Sequence, residues 1–417
     1  MNQPGKVHVV GAGVAGLAAA VRLATAGVRV ALHEGAGHGG GRCRSFHDEV
    51  LDRTIDNGNH LLLSGNTAVA SFLAETGAVD ALAGPNKAAF AFADLGTGAR
   101  WTLRPNAGRL PWWIFSATRR APGTRARDYL AGLKLARAGD ATISQCLDAT
   151  RPAFARFWEP LVLAVLNAPP REAAARLLWP VMTEIFGRGA KAARPLVARE
   201  GLSHAFVEPA LRTLERHGAE IRFNQRLRAI IRQGERATAL DFTRGRVALG
   251  PEDRVVLAVP PAGAAELLPE LPSPKGARAI VNAHFRVSEP LPTNLPFLGL
   301  VGATAHWLFI RDDVVSVTVS AADDLAEVEN EDVARRLWAD VTRALSLTAT
   351  ALPPWRVIKE KRATFAQVPA ELARRAPART PWRNLFMAGD WTDTGLPCTI
   401  EGAIRSGHRA AELARAP

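Results

Sequence analysis

Val7-His8-Val9-Val10-Gly11-Ala12-Gly13-Val14-Ala15-Gly16 is the stretch that decides how this chain folds. A short β-branched run meets a glycine turn, and Leu17–Ala26 continues with the apolar pattern of a helix. Strand, turn and helix in that order are what a bound dinucleotide requires. Gly11 permits the tight turn, Gly13 lets the backbone approach a pyrophosphate, and Gly16 lets the helix lie on the strand. Ala15 sits in the first helical turn, where unpaired N–H groups face phosphate.

The residues that follow strengthen this reading. Val28–Leu32 is expected to form the second strand, with Glu34 at its end, placed to accept from ribose hydroxyls. An ordinary solvated glutamate is the plainer alternative. Gly39-Gly40-Gly41-Arg42-Cys43-Arg44-Ser45 comes next: Gly41 allows a second close backbone approach to the pyrophosphate, and the Arg42 guanidinium neutralises it. Alone, such a run reads as a flexible surface loop; beside Glu34 that reading loses most of its weight.

The totals bound the remaining choices. A chain of 417 residues exceeds what one hydrophobic core usually supports, so two domains are expected. Apolar residues at 47% and charged residues at 22% fit an ordinary soluble globular protein. The net charge of +12, mainly from arginine, is compatible with nucleic acid, anionic lipid or a phosphorylated cofactor. No zinc spacing or aromatic-interleaved basic patch accompanies it, so nucleic acid is not an expected partner. Cys43, Cys146 and Cys398 are too few and too scattered for a disulfide framework or a metal site, which points to the cytoplasm and to no metal. The first strand follows Met1 too soon for a signal peptide, and no run of about 18 apolar residues exists. Membrane contact, if any, is expected to be peripheral.

The C-terminus completes the picture. Asn384-Leu385-Phe386-Met387-Ala388-Gly389-Asp390-Trp391, followed by Thr399-Ile400-Glu401-Gly402-Ala403-Ile404-Arg405-Ser406-Gly407, resembles the closing strand, turn and helix of the flavin amine oxidase and carotenoid desaturase superfamily. The resemblance implies non-covalent FAD, contacted by Gly389, Asp390, Thr399, Ile400 and Ala403. Asp390 can accept from a ribityl hydroxyl, and the helix start near Glu401 can point N–H groups at the flavin's electron-rich edge. Gly218–Ile230 is similar to a helix end, strand and turn of that FAD domain, with Leu227 at the adenine. Asp253–Pro261 is similar to the strand by which the chain leaves it. The implied fold is α/β, a Rossmann-type FAD-binding domain with a discontinuous α+β substrate domain that includes a helical cap. The expected boundaries are 1–85, 197–260 and 380–417 for the first and 86–196 and 261–379 for the second.

Four stretches are more particular: Asp56-Asn57-Gly58-Asn59-His60, Trp101–Trp113, Glu360–Phe365 and Thr394–Pro397. Together they resemble the hydroxysqualene dehydroxylase family of bacterial squalene and hopanoid synthesis. That implies a long-chain isoprenoid substrate, reduced when hydride from the flavin meets an allylic cation. It also implies flavin contacts from Asn57, Gly58, Asn59 and His60. A partner reductase, free reduced flavin or a reduced nicotinamide are all open as electron donor. Two departures stand out. Arg374-Arg375-Ala376-Pro377 differs from the Arg-Pro of related chains, and Cys398 occupies a place usually held by a small residue. The cysteine that monoamine oxidases use for covalent attachment lies well upstream, so Cys398 is read as lining the pocket.

Phe154–Leu166 and Leu177–Phe186 are apolar around most of their circumference, as core helices or the walls of a hydrocarbon tunnel would be. Trp112-Trp113 beside Arg109, Arg119 and Arg120 reads equally as a buried loop or as an anchor on anionic membrane, which would place the protein on the inner face of the cytoplasmic membrane. One tyrosine, Tyr129, against ten tryptophans disfavours a tyrosine-framed amine site. His60, Glu208 and Arg362 are the candidate catalytic groups; a bracing role for His60 and an ion pair for Arg362 are the plainer readings. The rival functions are a carotenoid-type desaturase or amine oxidase of the same fold, and a lipid-binding subunit without turnover.

Overall fold

A computed structural model describes residues 5–292, 295–349 and 351–416. Its organising element is a five-stranded parallel sheet, in the order Glu220–Arg222, Arg29–His33, Lys6–Val10, Arg254–Leu257 and Leu385–Met387. Segments more than 370 residues apart in the chain thus lie two strands apart, because a parallel strand requires a crossover and not a hairpin. The second strand is shifted by one residue from the expected Val28–Leu32.

Alternation along these strands divides the core in two. Val7, Val9, Val256 and Phe386 pack beneath the helices Val14–Thr25 and Ile400–Arg415. Val10, Val255, Leu257 and Met387 pack on the opposite side with Leu227, Leu240 and Phe242. These last belong to the antiparallel meander Leu227–Gln233, Arg236–Phe242 and Gly245–Ala248. The two helices touch closely: a Cβ on Gly407 would stand 2.1 Å from the Ala15 carbonyl oxygen.

The second sheet has seven strands, in the order Trp355–Phe365, Ala277–Arg286, Val314–Val319, Trp307–Arg311, Phe297–Val301, Phe90–Asp94 and Arg100–Leu103. Val281, Ala283 and Phe285 bury one face against the helix Asn330–Leu345. The alternate residues Asn282 and His284 are equally buried but polar, and they turn to the other side.

The cap lies over that region. Phe154–Trp158 is a π-helical turn running into the helix Glu159–Leu166, and Leu178–Glu184 forms a second, shorter helix between single 3-10 turns. The Trp158 indole donates to the Asp128 carbonyl at 3.0 Å. The adjacent tryptophans differ from either simple reading. Trp112 is 63% exposed, whereas Trp113 is buried against Tyr129 and Phe157.

Candidate functional site: a flavin cleft

The glycine turn has the geometry its residues demand. Gly11 has φ +106°, and a Cβ there would lie 2.4 Å from the Ala258 carbonyl oxygen. A Cβ on Gly16 would lie 1.8 Å from the Gly11 oxygen, so both positions exclude any side chain. Gly13 differs: a Cβ there meets nothing within 4 Å, leaving its backbone open to a ligand. Gly40 donates to the Ala12 carbonyl at 2.7 Å, which brings Gly41, at φ +57°, alongside. The helix Val14–Thr25 carries no acidic side chain in its first turn to compete for the free N–H groups.

Glu34 is held where its carboxylate meets the turn, accepting from Ala12 N at 2.7 Å and Ala36 N at 2.8 Å. Its remaining lone pairs are those a ribose could use. Gln225 N donates to the Glu34 carbonyl at 2.8 Å, and the buried Leu227 begins the next strand two residues later. These contacts suit an adenosine diphosphate portion of a cofactor: two glycine-lined backbones, a helix N-terminus and a carboxylate.

Arg42 and Asp390 form a pair instead of standing as separate ligands. Arg42 Nη2 donates to Asp390 Oδ2 at 2.8 Å, and Nη1 donates to the Ala363 carbonyl. The Cys398 thiol donates to the same Asp390 oxygen at 2.9 Å. The Asp390 charge raises the Arg42 pKa, and burial raises that of the Cys398 thiol, which therefore stays protonated. Gly389, at φ +150°, donates to Ser406 Oγ at 3.0 Å. Thr399 caps the closing helix by accepting from Gly402 N at 3.1 Å, with Ile400 and Ala403 buried behind it.

The loop Asp56–His60 reaches the same place and is anchored largely by the seven-stranded sheet. Buried Asp56 accepts from Ser45 Oγ at 2.6 Å and Leu202 N at 2.8 Å, and pairs with Arg311 at 3.0 Å. The Asn57 carbonyl accepts from Asn282 Nδ2 at 3.4 Å, Asn59 donates to Thr318 Oγ1 at 3.1 Å, and Gly58 packs on Asn282. His60 makes no hydrogen bond among the described residues and is free to meet a ligand. Burial lowers its pKa to about 4; Asp56 and Asp390 pull it up and Arg42 pushes it down. His60 is thus neutral near pH 7, and Arg42 and Asp390 are among the charges that act on it.

The other two catalytic candidates stand apart from that group. Arg362 lies on the strand whose Ala363 carbonyl receives Arg42, but its own side chain is exposed. Glu208 sits at the start of the surface helix Glu208–Arg216, 51% exposed, facing Arg212 at 3.7 Å and His204 at 3.9 Å. A solvated carboxylate facing Arg212 is not brought to His60 by this fold.

Several site residues were not evident beforehand. Arg375 is buried and donates to the carbonyls of Trp391 at 3.2 Å, Leu396 at 2.9 Å, Asp390 at 3.3 Å and Thr392, so it shapes the whole turn after Asp390. The departure at Arg374-Arg375 is therefore structural support for that turn. Gln367, fully buried, joins Leu166 of the cap to Cys398 N. Glu401 caps the helix Thr67–Thr76 through Ala68 N and Val69 N, both at 3.0 Å. An Arg or Gln flanked by unremarkable residues gives no local signal for such roles. No cluster of metal-ligating side chains exists among the described residues, and no helix among them is long and apolar enough to cross a membrane.

Comparison with known proteins agrees with this geometry. The model of the family described as flavin containing amine oxidoreductase matches residues 14–414. A hydroxysqualene dehydroxylase of Sinorhizobium fredii is 46% identical over 412 residues, 99% of this chain and 98% of that protein. One from Rhodopseudomonas palustris is 47% identical over 409 residues, covering 98% and 97%. Among solved structures, cyclohexylamine oxidase from Brevibacterium oxydans superposes with a TM-score of 0.70 at 16% identity, covering 99% of each chain, a likeness of fold alone. The chain belongs to the flavin containing amine oxidoreductase family, in the branch that hydroxysqualene dehydroxylases form.

Proposed function

We propose that the chain is an FAD-dependent hydroxysqualene dehydroxylase, converting hydroxysqualene to squalene with release of water, in a route to squalene and hopanoids. The observation that carries this is similarity at 46–47% identity along the full length to proteins of that name, joined to a cleft that suits a dinucleotide. FAD would be held without a covalent bond by Gly11–Gly16, Glu34, Gly41–Arg42, Asn57–His60, Leu227, Gly389–Asp390 and Thr399–Ala403. When bound and reduced, it supplies hydride to the allylic carbon that loses the hydroxyl.

The protein's own task is to hold the hydrocarbon dry and to ease departure of the hydroxyl. Leu61 and Leu63 come soon after His60, and Leu63 packs against the same small buried cluster, Ala88, Ile185 and Ala193, as Val181 and Phe186 of the cap. These side chains provide an apolar wall next to a polar end. His60, neutral because burial lowers its pKa to about 4, is a poor source of a full proton at pH 7. Its ring N–H is suited to hydrogen-bonding the substrate hydroxyl and aligning it, a positioning role. The proton consumed with the hydroxyl would come from solvent, and the two electrons from a reduced nicotinamide, free reduced flavin or a partner reductase. Work at the membrane surface on the cytoplasmic side would suit so apolar a substrate.

The desaturase and amine oxidase alternatives fare less well. Tyr129, the chain's one tyrosine, is tied to Ala121 N and Thr124 at 3.1 Å and packed on Trp113, so tyrosines cannot frame an amine. The test is anaerobic: dithionite-reduced holoprotein is mixed with hydroxysqualene, phytoene or simple amines. Return of the oxidised flavin absorbance together with squalene, with hydroxysqualene only, is the expected result. A fully loaded protein that stays reduced with hydroxysqualene would overturn the proposal. Under the same conditions His60→Ala should retain flavin but slow reoxidation by about ten- to a hundredfold; an unchanged rate would remove His60 from the reaction.

A further inference from the structure

Seven large apolar side chains lie exposed among the described residues, and five of them fall within one stretch of the cap: Leu110, Trp112, Phe115, Leu130 and Leu133. Their clustering is spatial as well as sequential. Trp112 and Phe115 are 5.9 Å apart between ring centroids. Trp113 and Tyr129 pack edge to face at 5.1 Å, so Trp112 and Leu130 emerge on either side of one buried aromatic contact. Gly132 is pressed onto the Trp158 ring, which leaves Leu133 outward and 63% exposed. Such a patch on a soluble surface marks an interaction site.

Its charge selects the partner. Residues 104–137 contain seven arginines and one lysine against a single acid, Asp128. Asp128 is buried and occupied with Arg125 N at 2.7 Å, and none of the eight cations enters an ion pair among the described residues. A second copy of this chain would bring a like-charged surface to this one, whereas anionic headgroups would neutralise both rims of the apolar patch.

We propose that this face docks on an anionic bilayer, with Trp112, Phe115, Leu130 and Leu133 in the headgroup–acyl boundary and the arginines at the phosphates. Behind it an aromatic seam runs inward, Trp113 to Phe157 at 6.1 Å and Phe157 to Phe186 at 6.3 Å, and Phe186 shares the buried cluster around Ile185 with Leu63. The seam joins the docking face to the apolar wall beside His60. Delivery of substrate along it rests on the isoprenoid reading above, but docking does not.

The test is flotation of flavin-loaded full-length protein with vesicles of phosphatidylglycerol and phosphatidylcholine, without substrate. Binding is expected to the anionic vesicles, weakening as salt rises and as the phosphatidylglycerol fraction falls. Trp112→Ser with Phe115→Ser and Leu133→Ser should lower partitioning by at least about tenfold with flavin content unchanged. Arg119→Glu with Arg127→Glu, which spares the apolar residues, should abolish the preference for anionic lipid. Absence of wild-type binding, or binding indifferent to both variants, would overturn the proposal. So would a wild-type dimer that ignores vesicles and dissociates in the apolar variant, since the occupant would then be a second copy. Because vesicle binding needs no turnover, its failure is distinct from a failure to reduce hydroxysqualene.

Discussion

The five-stranded and seven-stranded sheets approach the space around His60 by opposite means. The first presents backbone: Gly11, Gly13 and Gly16 at the end of Lys6–Val10, where two of the three positions cannot hold even a methyl group. The second presents side chains: Asn282, Thr318 and Arg311, which grip the loop Asp56–His60. A cofactor shared by a large family can be held by main-chain groups that any sequence supplies. The loop that completes the site needs side chains to hold it, and these are drawn from strands distant in the chain.

The contrast is sharpest within the glycine turn. Gly16→Val places a branched side chain where even its Cβ falls 1.8 Å from the Gly11 oxygen, so the helix must leave the strand. We expect little soluble protein and no bound flavin, measured as absorbance per chain. Gly13→Ala adds a methyl group that meets no protein atom, so thermal stability should hold while flavin affinity falls. Equal loss of stability in both variants would mean that Gly13 is needed for folding and does not face a ligand.

The next effect in size concerns the turn between the strand Leu385–Met387 and the closing helix. Arg375→Leu removes a buried guanidinium and strands the carbonyls of Trp391, Leu396 and Thr392. Leaving such a network unpaired costs about 3–5 kcal/mol. Denaturant unfolding should detect it, and flavin retention should fall with it, because Asp390 lies in the same turn. Stability within about 1 kcal/mol of wild type would show that water replaces the guanidinium.

What could be read from the chain beforehand follows the same division. Gly11–Gly16, Glu34 and Gly41–Arg42 are legible because each acts within its own turn, and the positive φ values that demand glycine are local. Arg375 and Glu401 were opaque because their partners are set by tertiary packing, Glu401 reaching a helix start 333 residues away. Glu208 misled for a related reason: a carboxylate at a helix start is as natural on a surface as in a site, and here it is solvated. Trp112-Trp113 could not be divided by composition, since only the packing of Tyr129 and Phe157 decides which ring is buried.

The polar face of the larger sheet offers a titration that the glycine turn lacks. His284 is fully buried, bonded to Ser316 Oγ at 2.7 Å, and burial lowers its pKa to about 4 from 6.5. Between those values the unfolded chain binds the proton and the folded chain does not. The stability is therefore complete above pH 6.5 and lost as pH falls toward 4. For this one group the loss from pH 7 to pH 5 is about 2 kcal/mol. Urea unfolding at the two values should show it, and His284→Asn should reduce the difference by that amount. His8, His60 and His306, also near 4, would keep the rest of the slope.

The smallest expected effect is at Cys398, where the two sheets' contributions meet at Asp390. Its thiol gives Asp390 one weak hydrogen bond at 2.9 Å, while Arg42 holds the same oxygen at 2.8 Å as a charged donor. A thiol whose pKa is raised by burial has little thiolate to attack a flavin. Cys398→Ser preserves a donor of smaller size, so stability should change by less than about 1 kcal/mol. Flavin content and spectrum should match the wild type, and acid precipitation should release the flavin from both proteins, leaving chains of unmodified mass. Flavin that stays with the precipitated wild-type chain and is lost from Cys398→Ser would make Cys398 the attachment point, and Asp390 would then serve to orient that bond.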